Sequence, residues 1–167
     1  MEHCTAWEDN RDSWMEASRF FARTIALDPA YISHGEIQTG LSLDGRTWIE
    51  DLEARFLAEA AADDEPRSLA VVRDATGCII GAAAVSWSFE TPDAPFATLQ
   101  DMAVDPTVRS QGIGDALVAF VEAEVWRRGA RWLFLESGKD NVRAHRFFER
   151  CGFAEISHVF VKHPPGV

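Results

Sequence analysis

Hydrophobic residues recur every three or four positions in four stretches of the chain, the spacing of one buried helix face. The first stretch stops at Asp28-Pro29, and the last two stop at Gly129 and Gly152, residues typical of helix ends. The pattern predicts helices at about Ser13–Leu27, from Thr47 through Phe56, at Ile113–Arg128 and at Asn141–Cys151. Residues 30–47, with Gly35, Gly40 and Gly45, are expected to form a loop between the first two.

Shorter runs rich in β-branched and aromatic residues lie between the second and third helices and after them. The turn Asp74-Ala-Thr-Gly77 separates two such runs, which predicts an antiparallel hairpin. Strands are expected at Leu69–Arg73, Cys78–Phe89, Ala97–Val104, Arg131–Glu136 and, finally, Phe153–Val161. Helices and strands in this order predict an α+β fold in one domain over residues 1–167, with helices in 1–65 and the sheet in 66–167.

Composition narrows the class of protein. The 167 residues are 47% hydrophobic and 26% charged, as in one globular domain that buries about 70% of its unfolded surface. The longest apolar run, Cys78–Trp87, is shorter than the roughly 20 residues of a membrane span, and no export signal opens the chain. Cys4, Cys78 and Cys151 have neither disulfide nor metal-ligand spacing. We therefore expect a cytoplasmic protein without a metal site or a membrane partner.

Charge is distributed unevenly along the chain. The net charge is -11, which argues against nucleic acid as a partner. Residues 1–65 carry 15 acidic and 5 basic side chains, whereas residues 66–167 carry 12 and 11. This acidity is either a solvated helical surface or a field that attracts a cationic ligand.

The segment Arg109-Ser-Gln-Gly-Ile-Gly114 lies between a predicted strand and a predicted helix. Backbone N–H groups at a helix start attract anions, and glycines remove side-chain obstruction, so the turn is a candidate phosphate site. An ordinary strand-to-helix turn is the alternative. No Gly-Lys-Ser/Thr follows, which excludes a P-loop. Leu117 occupies the third glycine position of a dinucleotide-binding fingerprint, and only one further strand follows, which argues against that fold.

Three motifs together resemble the GNAT superfamily of acyl-CoA-dependent N-acetyltransferases. They are Val104-Asp-Pro, Arg109-x-x-Gly-x-Gly114 and Asn141-x-x-Ala-x-x-Phe-Phe-x-x-x-Gly-Phe153, and they fall within residues 97–162. The resemblance implies a central mixed, mostly antiparallel sheet flanked by helices, with two N-terminal helices over the acceptor site, and acetyl-CoA as co-substrate. It also implies that the strand ending at Val104 splays from the strand Arg131–Glu136 and opens a slot for the cofactor arm.

The resemblance further implies which residues bind the cofactor. The pyrophosphate would meet the turn, pantetheine and thioester would lie along the strand, and the helix after Asn141 would line the slot. The implied cofactor-binding residues are Met102, Ala103, Val104, Arg109, Ser110, Gln111, Gly112, Ile113, Gly114, Asn141, Ala144 and Phe147. Independently, Arg143, Arg146 and Arg150 share one side of a helix, where they could meet phosphates or form a solvated basic face.

Acetyl transfer to an amine needs a base, because an amine with a pKa near 10.4 costs about 4 to 5 kcal/mol to deprotonate at pH 7. Asp101 and Glu136 border the expected slot and are the candidates. The alternatives are a solvent-facing strand residue for Asp101 and a partner of Arg131 or Lys139 for Glu136.

Protonation of the departing thiolate is less demanding. With a Cys-like pKa of about 8.5, the free-energy difference between thiol and thiolate at pH 7 is only about 2 kcal/mol. The tyrosine that often serves as this acid in the resembling family is replaced here by Phe148. Water or Tyr31, the single tyrosine, is then the candidate acid, although Tyr31 could simply be packed. Cys151, without a histidine and orienting acid beside it, is expected to be a packing thiol.

The acidic N-terminal helices would wall the acceptor site, which predicts a small cationic amine as substrate. The run Glu122-Ala-Glu-Val-Trp126 and the ending Val159-Phe-Val-Lys162 resemble the aminoglycoside 6'-N-acetyltransferases. Polyamines and protein amines are alternative acceptors, and a non-catalytic acyl-CoA sensor is the alternative function. Exposed tryptophans among Trp7, Trp14 and Trp48 would make a homodimer reasonable.

Overall fold

The structure is a computed structural model that describes residues 3–62 and 66–164. A five-stranded sheet forms its centre in the order β1-β2-β3-β4-β5. Three neighbouring pairs are antiparallel and the last, β4 with β5, is parallel. The strands are β1 His3–Trp7, β2 Arg67–Asp74, β3 Ile79–Ser88, β4 Phe96–Val104 and β5 Trp132–Leu135. The helices are α1 Arg11–Ile25, α2 His34–Gln38, α3 Leu52–Ala61, α4 Ile113–Arg127 and α5 Val142–Arg150.

Helices cover both faces of the sheet. On one face Leu69 and Val71 of β2 pack with residues of α1 and α3, and on the other Ala70 and Val72 pack with α4. All four side chains are fully buried. The run Leu69–Val72 is uniformly apolar because both faces of its strand are covered.

A β-bulge at Gln100 changes the direction of the side chains of β4. Its register against β3 shifts there, so that Leu99 pairs with Val85 and Asp101 pairs with Ala84. Before the bulge Leu99 packs on the α4 face, and after it Ala103 packs on the α1 face. One inserted residue reverses the alternation of a strand. Asp101 is consequently turned toward α1 and α3.

The pairing of β4 with β5 is short. It covers only Phe96–Leu99 against the whole of β5, Trp132–Leu135. Past Leu99 no strand of the described residues pairs with β4 on this side, and β4 and β5 diverge. The predicted splay is confirmed, and it opens a slot in the sheet.

Most predicted elements are confirmed within a few residues. The strand β1 was missed, since its alternation is weak and it lies at the sheet edge. The second helix begins at Leu52 and not at Thr47, and the expected loop 30–47 contains a 3-10 turn, Pro29–Tyr31, and α2.

One other prediction was wrong. Residues 153–161 form no strand, because in this single chain they lie beside no strand that pairs with them. Trp7, Trp14 and Trp48 are half-buried and pack against the two cores, and the homodimer stays a prediction. In the described residues no helix is long and apolar enough to cross a membrane.

Candidate active site

A cavity of about 330 Å³ occupies the opening between β4 and β5. Its walls are the second half of β4, the turn before α4, the residues that follow β5, the start of α5 and the loop between α1 and α3. All but one of the residues predicted from the sequence to form the site line it. Those residues are Tyr31, Asp101, Met102, Ala103, Val104, Arg109, Ser110, Gly112, Ile113, Gly114, Glu136, Asn141, Ala144 and Phe147. Gln111 is the exception.

The turn before α4 presents bare backbone amides to this cavity. Gly112 is the N-cap of α4 with φ of +79°, and no side chain caps the helix. The first amides of a helix have no partner within it, so they remain available to an anion. Ser110 also adopts a left-handed conformation, with φ of +65°. Strain in a residue other than glycine is typical of functional turns.

Helix α5 closes the opposite wall of the cavity. A Cβ on Gly114 would lie 3.1 Å from the Phe147 ring, so the glycine allows α4 and α5 to approach closely. Asn141 is buried and caps α5, because its side-chain oxygen accepts a hydrogen bond of 3.2 Å from the Ala144 amide.

Arginines surround the start of α4. Arg143 and Arg150 line the cavity, whereas Arg146 does not. The Arg150 guanidinium lies 3.5 Å from Asp115 in the first turn of α4. Arg109 donates from Nε to the Val104 carbonyl at 3.2 Å. This end of the cavity is therefore rich in positive groups.

Carboxylates lie at the other end. Asp101 borders Phe21 and Phe56 on the α1 and α3 side of the sheet. Burial above all, together with the charges of Glu59 and Glu36 and against the effect of Arg67, raises the pKa of Asp101 to about 7. A carboxyl with this pKa can exchange a proton near neutral pH.

Glu136 follows β5 and is held by the N-terminus of α2. Its Oε1 accepts a hydrogen bond from Ser33 Oγ, lies 2.8 Å from His34 Nδ1 and lies 3.4 Å from the Gly35 amide. Ser33 also donates its amide to Glu36 at 2.6 Å, which brings a second acidic side chain to the same place. Glu136 thus pairs with neither Arg131 nor Lys139, whose hydrogen bonds go to Asp93 and Asp140.

The loop between α1 and α2 closes over the cavity. A Cβ on Gly138 would lie 2.3 Å from the Ala30 carbonyl oxygen, so only glycine permits this contact with the loop. In the closed loop the Tyr31 hydroxyl lies 3.4 Å from Arg109 Nη2. The structure therefore brings Tyr31, which is 70 residues before Asp101 in the chain, into the cavity.

Comparison with known proteins decides the family. A profile of the acetyltransferase (GNAT) family matches residues 36–153, more than half of the chain. The chain belongs to the GNAT family.

Two similar enzymes acetylate different kinds of amine. An aminoglycoside N(6')-acetyltransferase type 1 of Stenotrophomonas maltophilia is 31% identical over 111 residues, 66% of this chain and 67% of that enzyme. The ribosomal protein bS18-alanine N-acetyltransferase of Escherichia coli K12 is 41% identical over 61 residues, 36% of this chain and 41% of that enzyme. This GNAT protein is accordingly an N-acetyltransferase.

A solved structure shares the fold. The aminoglycoside acetyltransferase AAC(6')-Iy, in complex with a bisubstrate analogue of CoA and acetylneamine, has a TM-score of 0.66 at 16% identity. The similarity covers 98% of this GNAT chain and 99% of that one. The predicted GNAT fold class is confirmed.

Two polar groups of this GNAT site were missed by the sequence analysis. Trp48 Nε1 and Ser137 Oγ are buried without a hydrogen-bond partner among the described residues, and both residues line the cavity. Buried polar groups normally have partners, so these two donors indicate a place for a ligand. Ser137 follows a predicted strand, a usual place for a functional polar residue, but nothing in the local pattern singles out Trp48.

The surroundings of Phe148 and Cys151 do not suit either residue to catalysis. Phe148 lines the cavity and packs edge-on against Phe147 and Phe153. Burial raises the pKa of the Cys151 thiol, which disfavours the thiolate. Neither residue offers this GNAT site a proton donor or a nucleophile.

Proposed function

We propose that this protein transfers an acetyl group from acetyl-CoA to a primary amine of a small cationic acceptor. The observation that carries the proposal is the division of one cavity into two ends of opposite charge. Bare amides and three arginines, one of them beside Asp115, lie around the start of α4, whereas the carboxylates of Asp101, Glu36 and Glu136 lie near one another at β4 and the start of α2. A phosphorylated acyl donor and a cationic amine are the pair of substrates that such a cavity favours.

The positive end fits the phosphates of acetyl-CoA. The amides that follow Gly112 would bind the pyrophosphate, and Arg143 and Arg150 would neutralise its charge. Within the part of the chain that the structure describes, the main chain of β4 after Leu99 has no strand partner on the β5 side, which leaves it available to pantetheine. Asn141 uses its oxygen as a helix cap, and its amide nitrogen would donate to the same arm.

The acidic end fits an amine that also carries oxygen atoms. Asp101, Glu36 and Glu136 would attract the ammonium group. The Trp48 Nε1–H and the Ser137 hydroxyl would donate to hydroxyl or ether oxygens of the acceptor. An amino sugar has both kinds of group, and the similarity to an aminoglycoside acetyltransferase supports this choice.

We assign the base to Asp101. Glu136 has Ser33, His34 and Gly35 around one carboxylate oxygen, and these contacts fix its position and suit it to holding the acceptor. Asp101 has a pKa of about 7 and no such donors in the described contacts, so it can take a proton at neutral pH. The base would act directly or through one water molecule.

The ammonium group of the bound acceptor first gives one proton to the Asp101 carboxylate, which releases it to solvent, and three steps then follow. The neutral amine attacks the thioester carbonyl, and a C–N bond forms as the carbonyl π-electrons move to oxygen. The amine proton passes to Asp101. The tetrahedral intermediate then collapses, the C–S bond breaks, and the thiolate receives a proton from Tyr31 or water to give CoA and the amide.

A panel of acceptors tests the function. Calorimetry with acetyl-CoA would measure binding, and release of free CoA thiol would measure transfer to amino sugars, polyamines and a peptide with N-terminal alanine. We expect amino sugars to be acetylated fastest, and their deaminated analogues to be inert. Tight acetyl-CoA binding without acceptor-dependent thiol would establish a sensor, and preference for the peptide would establish a protein acetyltransferase.

A further inference from the structure

Asp101 borders two cavities. The first is the large cavity between β4 and β5, and the second is a small cavity of about 20 Å³ that lies between the sheet and the helices α1 and α3. Phe21 and Gln100 also line both cavities. The carboxyl group of Asp101 therefore has access to two separate compartments.

The small cavity is polar and has room for one water molecule, which needs about 10 to 15 Å³. Ser18 of α1, Glu59 of α3 and Asp101 of β4 line it with oxygen atoms. A water molecule inside a protein needs roughly two to four polar partners, and these three side chains provide them. Ser18 is buried whereas Glu59 is exposed, so the cavity leads from Asp101 toward the protein surface.

Arg67 is fixed on the wall of this small cavity. Its Nη2 donates to the carbonyl oxygens of Glu59, Ala60 and Ala62 at the end of α3, over distances of 3.0, 3.1 and 3.1 Å. An arginine keeps its proton at neutral pH. Asp101 and Glu59 are therefore the two groups of the cavity that can pass a proton along it.

The proposed transfer requires a proton to leave while both substrates are bound. A cationic acceptor gives Asp101 one proton before the attack and a second after it, and a carboxylate holds one proton at a time. Acetyl-CoA and the acceptor then occupy the large cavity, and the loop that contacts Gly138 covers it. The first proton therefore needs a path that does not cross the large cavity.

We propose that this proton leaves through the small cavity, from Asp101 to one water molecule and from that water to Glu59, which releases it to solvent. The inference rests on the proposed function. The O–H bond of Asp101 breaks as the water gains a proton, the water passes one of its own protons to a carboxylate oxygen of Glu59, and solvent takes that proton. Glu59 is near enough for its charge to raise the pKa of Asp101. It is a relay residue, since it lies outside the large cavity.

Thiol release with the amino sugar that the acceptor panel finds fastest tests the relay. In dilute buffer we expect Glu59→Gln to lower kcat about tenfold or more, because an amide does not accept the proton. Sodium formate should restore kcat, since a small carboxylate can replace the lost one at this exposed position, whereas sodium chloride at equal ionic strength should not. Glu53→Gln is the matched control. It removes another exposed glutamate of α3, outside the lining of both cavities, and should keep the wild-type kcat.

A second variant changes the cavity and keeps Glu59. Ala60→Leu places a larger apolar side chain at the small cavity, where it would displace the water. We expect the same fall in kcat as in Glu59→Gln, but no rescue by formate. Calorimetric binding of acetyl-CoA should be unchanged in both variants, and circular dichroism would verify that each is folded.

The pH profile separates a relay from a purely electrostatic effect. Glu59→Gln removes a negative charge that raises the pKa of Asp101, so the acidic limb of kcat/KM should move to lower pH. The other charged or titratable groups near Asp101 are unchanged in this variant, namely Arg67, Glu36, Tyr31 and Glu136. A moved limb together with a wild-type kcat in dilute buffer would mean that Glu59 only tunes Asp101, and the relay would be refuted.

Two further results would overturn the relay. If Glu59→Gln has the wild-type kcat and the wild-type pH profile at every buffer concentration, the path through the small cavity is wrong and the proposed function still holds. If the wild type releases no thiol in response to any amine, the proposed function fails, and the relay fails with it.

Discussion

Replacement of Asp101 by Asn should stabilise the protein and disable it at the same time. Its carboxyl has a pKa raised from 3.8 to about 7 in the folded chain, because burial opposes its charge. Ionisation of Asp101 therefore destabilises the folded chain. Below about pH 4 the carboxyl is protonated in the folded and the unfolded chain alike, and stability is complete. As the pH rises to about 7, this part of the free energy of unfolding is lost. At about 1.36 kcal/mol per pKa unit, the total is on the order of 4 kcal/mol.

Unfolding at several pH values measures this effect. Asn carries no charge at any pH, so the stability difference between Asp101→Asn and the wild type should grow by about 1.4 kcal/mol per pH unit between pH 4 and 7. At pH 8 the melting temperature of Asp101→Asn should be higher than that of the wild type by on the order of 10 °C. Glu124→Gln is the control of opposite sign, because hydrogen bonds from Arg127 and Arg128 lower the pKa of Glu124 to about 2. Glu124→Gln should be less stable than the wild type at neutral pH, and this difference in the free energy of unfolding should disappear as the pH falls toward 2.

Although Asp101→Asn should stabilise the fold, it should slow acetyl transfer. In the wild type, kcat/KM for the acceptor should rise about tenfold per pH unit below pH 7 and level off above it, as Asp101 ionises. In Asp101→Asn this limb should be lost and the rate at pH 8 should fall about 10² to 10⁴-fold. Acetyl-CoA binding should be unchanged. If Asp101→Asn keeps the wild-type rate and pH profile while Glu136→Gln loses both, Glu136 is the base and our assignment is wrong.

Three further predictions follow from the cavity walls. Gly112→Ala should raise KM for acetyl-CoA, because φ is +79° at the phosphate turn and a residue with a Cβ is strained there. Gly77→Ala is the control, since it introduces similar strain at φ of +87° in a distant hairpin. It should lower only the stability of the fold, by about 1 kcal/mol. Tyr31→Phe should slow thiol release about tenfold or more. Adding Phe148→Tyr to this variant should restore part of the rate if a hydroxyl on either wall of the cavity serves as the acid. Equal rates for the wild type and both variants would indicate that water is the acid. Gly138→Ala should raise KM for the acceptor and leave calorimetric acetyl-CoA binding unchanged, because its Cβ would displace the loop at Ala30; an unaltered KM would show that the loop does not contact the acceptor.

The sequence alone determined the parts of the site that depend on local structure. The turn Arg109–Gly114 and the helices that flank the site follow from glycine positions and hydrophobic spacing, whereas the slot and the residues of β4 that line it were implied by the family resemblance of three motifs within residues 97–162. Such features are set by backbone conformation over a few residues, so they can be predicted without knowledge of the packing.

The tertiary structure decided which side chains meet and what their surroundings do to them. The bulge at Gln100 turned Asp101 toward α1 and α3, where burial and the nearby charges of Glu59 and Glu36 raise its pKa. Glu136 meets Ser33 across 103 positions of sequence, and Trp48 reaches the cavity from the loop before α3, where a helix was expected. The expected strand at residues 153–161 stayed unpaired, since a strand needs a neighbour that its own sequence cannot supply. Local sequence specifies conformation, whereas register, burial and distant contacts depend on the whole fold.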